Sequence, residues 1–100
     1  MSRSIIGEQS PTAENTAASF YALGMECSIG GETPADLVSA HKWFNLAAMQ
    51  GSTDAVRLRR EIAAQMSNAE IGAAQRAARD YIKEHPAVFA PPAPRLNAAA

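Results

Sequence analysis

The sequence predicts an all-α fold built from four helices. Apolar residues recur at three- and four-residue spacing in four successive segments, which is the period of a helix with one buried face. Capping residues, glycines and a proline separate these segments, and no segment shows the alternation typical of a strand. Because alanine supplies much of the 47% hydrophobic content, the helices are expected to pack closely together.

The first predicted helix begins at residues 13–16 and ends near Ser28, before Gly30 and Gly31. Gly24 lies inside it, where glycine costs about 1 kcal/mol relative to alanine. We therefore expect Gly24 to allow a close approach to the helix that carries Trp43. The predicted buried face consists of Ala17, Phe20, Leu23, Gly24 and Cys27.

The second predicted helix has both of its ends marked in the sequence. Asp36 can cap the free amide groups at its start, and Gly51 can close it in the left-handed conformation. Trp43 lies beside its apolar stripe and widens it. The stripe makes this helix the expected packing centre of the fold, and it comprises Leu37, Ala40, Phe44, Ala47 and Ala48.

The third and fourth predicted helices follow directly. Ser52 is the expected cap of the third, which extends to residues 65–66. Ser67 and Glu70 form a capping box at the start of the fourth, which extends to residues 83–84 and ends before Pro86. The predicted buried residues are Ala55, Leu58 and Ile62 in the third helix and Ile71, Ala74, Ala78 and Ile82 in the fourth, with Tyr81 adjacent.

The predicted organisation is a flexible leader (residues 1–12), one helical domain (residues 13–85) and a disordered tail rich in proline and alanine (residues 86–100). A net charge of −1 gives no overall field for nucleic acid or an anionic membrane. The first residues lack the apolar run of a signal peptide, and no segment is apolar enough to span a bilayer. We therefore expect a cytoplasmic protein without a membrane partner.

The four helices form two similar pairs, and the first pair with the start of the third helix carries one motif. Its residues are Leu23, Gly24, Gly30, Asp36, Ala40, Trp43, Phe44, Ala47, Ala48, Gly51 and Ala55. This motif resembles the Sel-one-like repeat, a tetratricopeptide-related α/α solenoid. Cys27 stands where that family usually has tyrosine, and Thr33 where it has valine. The second pair keeps the helical pattern but not the motif, and is interpreted as a degenerate repeat.

The resemblance implies two stacked antiparallel hairpins that act as a non-catalytic adaptor for another protein, in a regulatory or signalling complex. In such solenoids the first helix of each pair lines the concave surface. Tyr21, Met25 and Ser28 form a second stripe on the first helix, and Val56 and Arg60 hold the matching positions on the third. Tyrosine, methionine and arginine are enriched at interfaces, so these residues are candidate partner contacts. Alternatively, Tyr21 and Met25 simply widen the core.

Two other functions stay open. A short solenoid could homo-oligomerise through its open end, because about three repeats are usually needed for stability. Basic residues in the second half could bind nucleic acid, although five acidic residues in the same segment leave an excess of only one positive charge. Arg57 with Glu61 and Arg76 with Asp80 are expected to pair on the surface. The basic residues are Arg57, Arg59, Arg60, Arg76, Arg79 and Lys83.

The residues that most often carry chemistry form no recognisable site in this sequence. His41 and His85 have no acidic or cysteine neighbour at metal-ligand spacing, and His41 is expected to flank the apolar stripe. Cys27, the single cysteine, is expected to be a small core residue. No nucleophile has an evident base partner, so we expect no enzyme, no small-molecule substrate, no metal and no cofactor.

Overall fold

The computed structural model describes residues 15–31 and 34–89. These two ranges form helices and no strand, which confirms the predicted all-α class for them. The predicted leader, Thr33 and residues 90–100 of the predicted tail lie outside the described residues. The helices are α1 (Ala17–Ile29), α2 (Leu37–Met49), α3 (Thr53–Ala63), α4 (Asn68–Glu84) and α5 (Pro86–Phe89).

The predicted caps of α2 and α3 are confirmed. The Asp36 carboxylate accepts a hydrogen bond from the backbone N–H of Ser39 at 3.0 Å. The Ser52 hydroxyl accepts one from the backbone N–H of Ala55 at 3.1 Å. Each bond satisfies an amide group that has no partner within its own helix, which fixes the first turn.

The start of α4 is the predicted capping box. The Ser67 hydroxyl accepts from the backbone N–H of Glu70 at 3.1 Å, and the Glu70 carboxylate accepts from the backbone N–H of Ser67 at 2.8 Å. Thr16 and Ser19 form an equivalent reciprocal pair at the start of α1. Short polar side chains therefore set the beginnings of these helices locally.

Helix α2 is the packing centre of the fold, as predicted. Helices α1, α3 and α4 each pack extensively against it, whereas α3 and α4 make no extensive contact with each other. Trp43 of α2 stacks on Phe20 of α1, with ring centroids 5.8 Å apart, and meets Tyr81 of α4 edge to face at 5.4 Å. One tryptophan side chain thus joins three helices.

The buried surface of α2 is wider than the predicted stripe. Ala40, Phe44 and Ala47 are fully buried as expected, while Leu37 and Ala48 are half-buried. Leu46, which was not predicted, is also fully buried, and His41 is only 4% exposed rather than flanking the stripe. Because three helices surround α2, residues outside a single apolar face are also removed from water.

Helices α1 and α2 approach each other at Gly24, which confirms the predicted close contact. A β-carbon built at Gly24 would lie 2.6 Å from the Phe44 ring. The fully buried Phe44 ring therefore occupies the space that a larger residue at position 24 would need. Gly51, just beyond α2, has a φ of 105°, a conformation that favours glycine.

The structure differs from the sequence prediction at the end of α3 and in the segment after α4. Helix α3 ends at Ala63, because the backbone N–H groups of Gln65 and Met66 bond three residues back, to Ile62 and Ala63, in a tighter turn. Helix α4 ends at Glu84 as predicted, but the chain then forms α5, Pro86–Phe89, in the segment assigned to the tail. Proline is well suited to the first position of a helix, since it needs no N–H there.

Within residues 15–31 and 34–89, no helix combines the length and the apolar character required to cross a bilayer.

Candidate functional site

The candidate contact residues on α1 lie on successive turns and are all half-buried. Tyr21 and Met25 pack against the core, and the Tyr21 ring centroid is 5.8 Å from that of Phe44. The Ser28 hydroxyl donates a hydrogen bond to the carbonyl oxygen of Met25 at 3.0 Å. Tyr21 and Met25 therefore widen the core on one side and leave part of their surface accessible, while their role as partner contacts stays a prediction.

The candidate contact residues on α3 have different environments. Val56 is half-buried and Arg60 is exposed. They are four residues apart and so share one side of the helix. Helices α1 and α3 make no extensive contact, since each packs separately on α2. The structure therefore does not join the two predicted half-surfaces into one packed patch.

The residues of the repeat motif have structural roles. Gly24, Ala40, Phe44, Ala47 and Ala55 are buried where helices meet. Leu23, Trp43 and Ala48 are half-buried, Gly30 and Gly51 lie in turns, and Asp36 is a cap.

Cys27 is half-buried and packs against the core, and its carbonyl oxygen accepts a hydrogen bond from the Asp36 N–H at 2.9 Å. Burial and the Asp36 and Glu26 carboxylates raise the pKa of the Cys27 thiol, so it is not activated as a nucleophile.

An aromatic cluster lies where α1, α2, α4 and α5 meet. The Phe20 ring is at its centre, stacked with Phe89 at 5.9 Å and Trp43 at 5.8 Å, and edge-on to Tyr81 at 5.7 Å. The His85 ring stacks on Tyr81 at 4.0 Å. Such offset and edge-to-face pairs stabilise by about 0.5–1.5 kcal/mol each beyond their buried area.

Two members of this cluster, His85 and Phe89, differ from the sequence prediction. The sequence predicts Tyr81 beside the buried stripe of α4 but Phe89 in an unpacked tail. The signal was nevertheless present, because Tyr81, His85 and Phe89 recur at four-residue spacing. Pro86 interrupts the helix between them, but a new helix starts there and returns Phe89 to the same side.

Lys42 brings a positive charge to the edge of the cluster. Its Nζ lies 4.2 Å from the centroid of the Trp43 ring and 5.4 Å from that of Tyr81. A cation over these aromatic faces is attracted by their electron density. The contact holds the lysine side chain along the indole.

Two open grooves adjoin the cluster, and Asn15 lines both of them. The Tyr81 hydroxyl donates a hydrogen bond to the Asn15 side-chain oxygen at 2.7 Å. The groove of about 490 Å³ is lined by Asn15, Ser19, Ala22, Leu23, Tyr81 and His85. The groove of about 520 Å³ is lined by Asn15, Thr16, Ala17, Gln50, Ala87 and Val88.

His41 is the buried polar group of the described core. Its Nδ1 atom has no hydrogen-bond partner among residues 15–31 and 34–89. Loss of water contact and the positive charge of Arg59 lower the pKa of His41. Arg59 itself donates a hydrogen bond to the Asn45 side chain. The described part of the chain contains no group of three or more potential metal ligands.

Five of the six basic residues of the second half are exposed, and Arg59 is half-buried. The predicted Arg57–Glu61 pair is confirmed at 3.2 Å, and Arg57 also lies 3.9 Å from Asp54. The predicted Arg76–Asp80 pair is wrong. The Arg76 guanidinium extends back toward Gly72, because helical side chains point toward the N-terminus of their helix.

Comparison with known proteins found no matching family model, curated protein or solved structure. The resemblance to the Sel-one-like repeat therefore depends on the residues quoted under Sequence analysis, and it stays a prediction.

Proposed function

We propose that this chain is a small non-catalytic helical-repeat adaptor that binds another protein in the cytoplasm. The contact surface is formed by Tyr21, Met25 and Ser28 of α1 with Val56 and Arg60 of α3. The observation that carries the proposal is the partial burial of Tyr21 and Met25 on successive turns of α1. Their inner sides pack on the core, so the accessible parts are held in place and lose little entropy on binding.

The adaptor interpretation includes a short solenoid of two stacked hairpins. The extensive packing of α1 on α2 supports the first hairpin. In the second pair, α3 and α4 each pack extensively on α2 and not on each other, so this pair departs from a regular antiparallel hairpin. The contact residues of α1 and those of α3 would then lie on one side of the assembly without forming one packed patch.

The test begins with affinity purification of the full chain and mass spectrometry of what it retains. The binding of a purified partner is then compared for Arg60→Glu and Arg79→Glu, which make the same charge change at exposed positions of α3 and α4. We expect Arg60→Glu to weaken binding at least tenfold. Arg79→Glu should leave the affinity within about twofold, since charges outside an interface contribute little. Equal effects of the two variants would refute the assignment of the surface.

Met25→Glu provides a second readout on α1, provided that circular dichroism shows an intact fold. If it binds the partner as wild type does, α1 is not part of the interface. Retention of nucleic acid in place of a protein, with an affinity that falls steeply as salt rises, would favour the basic residues of α3 and α4 instead.

Self-association is the second candidate function. Ile29 is 70% exposed and Met49 is 53% exposed, although both are large apolar side chains. Burial of such side chains between copies would stabilise a homo-oligomer. Light scattering over micromolar concentrations tests this candidate, and a strictly monomeric mass would exclude it.

A further inference from the structure

Helix α5 covers one side of the aromatic cluster with very few attachments. Phe89 stacks on Phe20 at 5.9 Å and meets Tyr81 edge-on at 6.2 Å. The Gln50 side-chain amide donates a hydrogen bond to the carbonyl oxygen of Val88 at 3.1 Å. One ring and one carbonyl group therefore attach α5 to α1 and α2.

A hinge precedes this short helix. His85 has φ −132° and ψ 57°, so it leaves the helical conformation between α4 and α5. Its ring stacks on Tyr81, and its Nδ1 lies 2.9 Å from the Tyr81 carbonyl oxygen. The hinge residue is thus fixed on α4, and rotation beyond it would separate Phe89 from Phe20 and Tyr81.

The segment gains little stability from its own structure. A four-residue helix is far below the length at which isolated helices persist in water. Pro86 and Ala87 are exposed, and the groove of about 520 Å³ opens beside Ala87 and Val88. Another chain could approach from this groove before Phe89 leaves its position.

We propose that Phe20, Tyr81 and Gln50 form a docking site, here called the Phe89 site. The chain's own Pro86–Phe89 segment occupies this site until a partner displaces the segment. The partner is a protein segment with the chemistry of the resident one: an aromatic side chain that stacks on Phe20, preceded by a carbonyl group that accepts from Gln50. This inference goes beyond the adaptor surface on α1 and α3 and does not depend on it.

The test uses the full chain and a peptide with the sequence of residues 84–89. Binding is followed by the NMR signal of the Trp43 indole N–H, because Trp43 stacks on the same Phe20 ring. We expect the peptide to bind Phe89→Ala about tenfold more tightly than wild type, if the resident segment leaves its site open about one tenth of the time. The control protein variant is Ile29→Ala, which removes an exposed apolar side chain and should bind as wild type does.

Pro86→Gly keeps the test decisive if Phe89→Ala fails to fold. Glycine loosens the hinge and lowers the effective concentration of the resident segment, while Phe89 and its site stay intact. Its peptide affinity should lie between those of wild type and Phe89→Ala.

Three results would overturn the proposal. The first is equal peptide affinity for wild type and the loosened variants, and the second is equal binding of a peptide with alanine in place of phenylalanine. The third is a wild-type dimer that the peptide dissociates, because the occupant would then be a second copy of this chain rather than a different partner.

Discussion

Replacement of Gly24 by alanine tests whether the close approach of α1 and α2 determines stability. The β-carbon of alanine would lie 2.6, 2.7 and 3.0 Å from three atoms of the Phe44 ring. Carbon atoms in contact are normally about 3.5–4.0 Å apart, so the ring or the helix would have to move by roughly 1 Å. Phe44 is fully buried, and rings in close-packed cores have little space into which they can move.

Two opposing effects set the size of the change. Alanine favours the helix by about 1 kcal/mol relative to glycine. Overpacking of a core costs about 1–3 kcal/mol, and the overlap with a rigid, buried ring places Gly24→Ala near the upper end of that range. We therefore expect the free energy of unfolding to fall by about 2 kcal/mol, which corresponds to a Tm about 10 °C lower for a domain of this size.

Gly72→Ala is the matched control. Gly72 also lies inside a helix, but a β-carbon there meets only the Arg76 guanidinium at 3.4 Å, the end of a flexible side chain. Here the helix-propensity gain is unopposed, so the free energy of unfolding should rise by about 0.5–1 kcal/mol. Urea denaturation of both variants, monitored by circular dichroism and Trp43 fluorescence, measures the two changes.

Equal stability of Gly24→Ala and Gly72→Ala would show that overlap with the Phe44 ring has no cost. A double-mutant cycle sharpens the test, because Phe44→Leu removes the Cε1 atom, which would lie closest to the new methyl group. Gly24→Ala should cost less in the Phe44→Leu background, by about 1 kcal/mol or more of coupling energy. Strict additivity would mean that the cost arises elsewhere.

Three further substitutions test individual residues. In urea titrations, the free energy of unfolding should fall from pH 7 to pH 5. Burial lowers the pKa of His41, so the unfolded chain takes up the proton first as the pH falls. His41→Leu should flatten this dependence. Asp36→Ala should cost about 1 kcal/mol at pH 7. That cost should shrink as pH falls through the Asp36 pKa, which hydrogen bonds from Ser39 hold below its usual range. Ser67→Ala should also cost about 1 kcal/mol, and an unchanged urea midpoint would contradict the role of its capping bond.

The positions of α2, α3 and α4 could be predicted because local interactions set them. Asp36, Ser52 and Ser67 each bond a backbone N–H three residues ahead, so the start of a helix depends only on its first turn. The close contact at Gly24 could also be predicted. A glycine inside a helix costs stability, and the close approach of a neighbouring helix offsets that cost.

The burial of His41 and Leu46 could not be predicted in the same way. The periodicity of α2 identifies one apolar face, but burial beyond that face depends on how many helices surround it. Histidine on a mostly apolar helix is compatible with either exposure or burial. Only the packing of three helices around α2 removes both side chains from water.

The two candidate contact surfaces, the stripe on α1 and the Phe89 site, also differ in how far the sequence could predict them. Tyr21 and Met25 follow one helical stripe, so the sequence could identify them, but it could not determine how far each is buried. The Phe89 site requires contacts between residues far apart in the chain, such as Gln50 with Val88 and Phe20 with Phe89. The composition around Pro86 predicts an unpacked tail, but residues 86–89 form a helix. The stacking of Phe89 on Phe20 offsets the weak tendency of four residues to form a helix. Because this segment forms a helix only through its tertiary contacts, a competing segment that makes the same contacts can replace it. This is why we propose a docking site there.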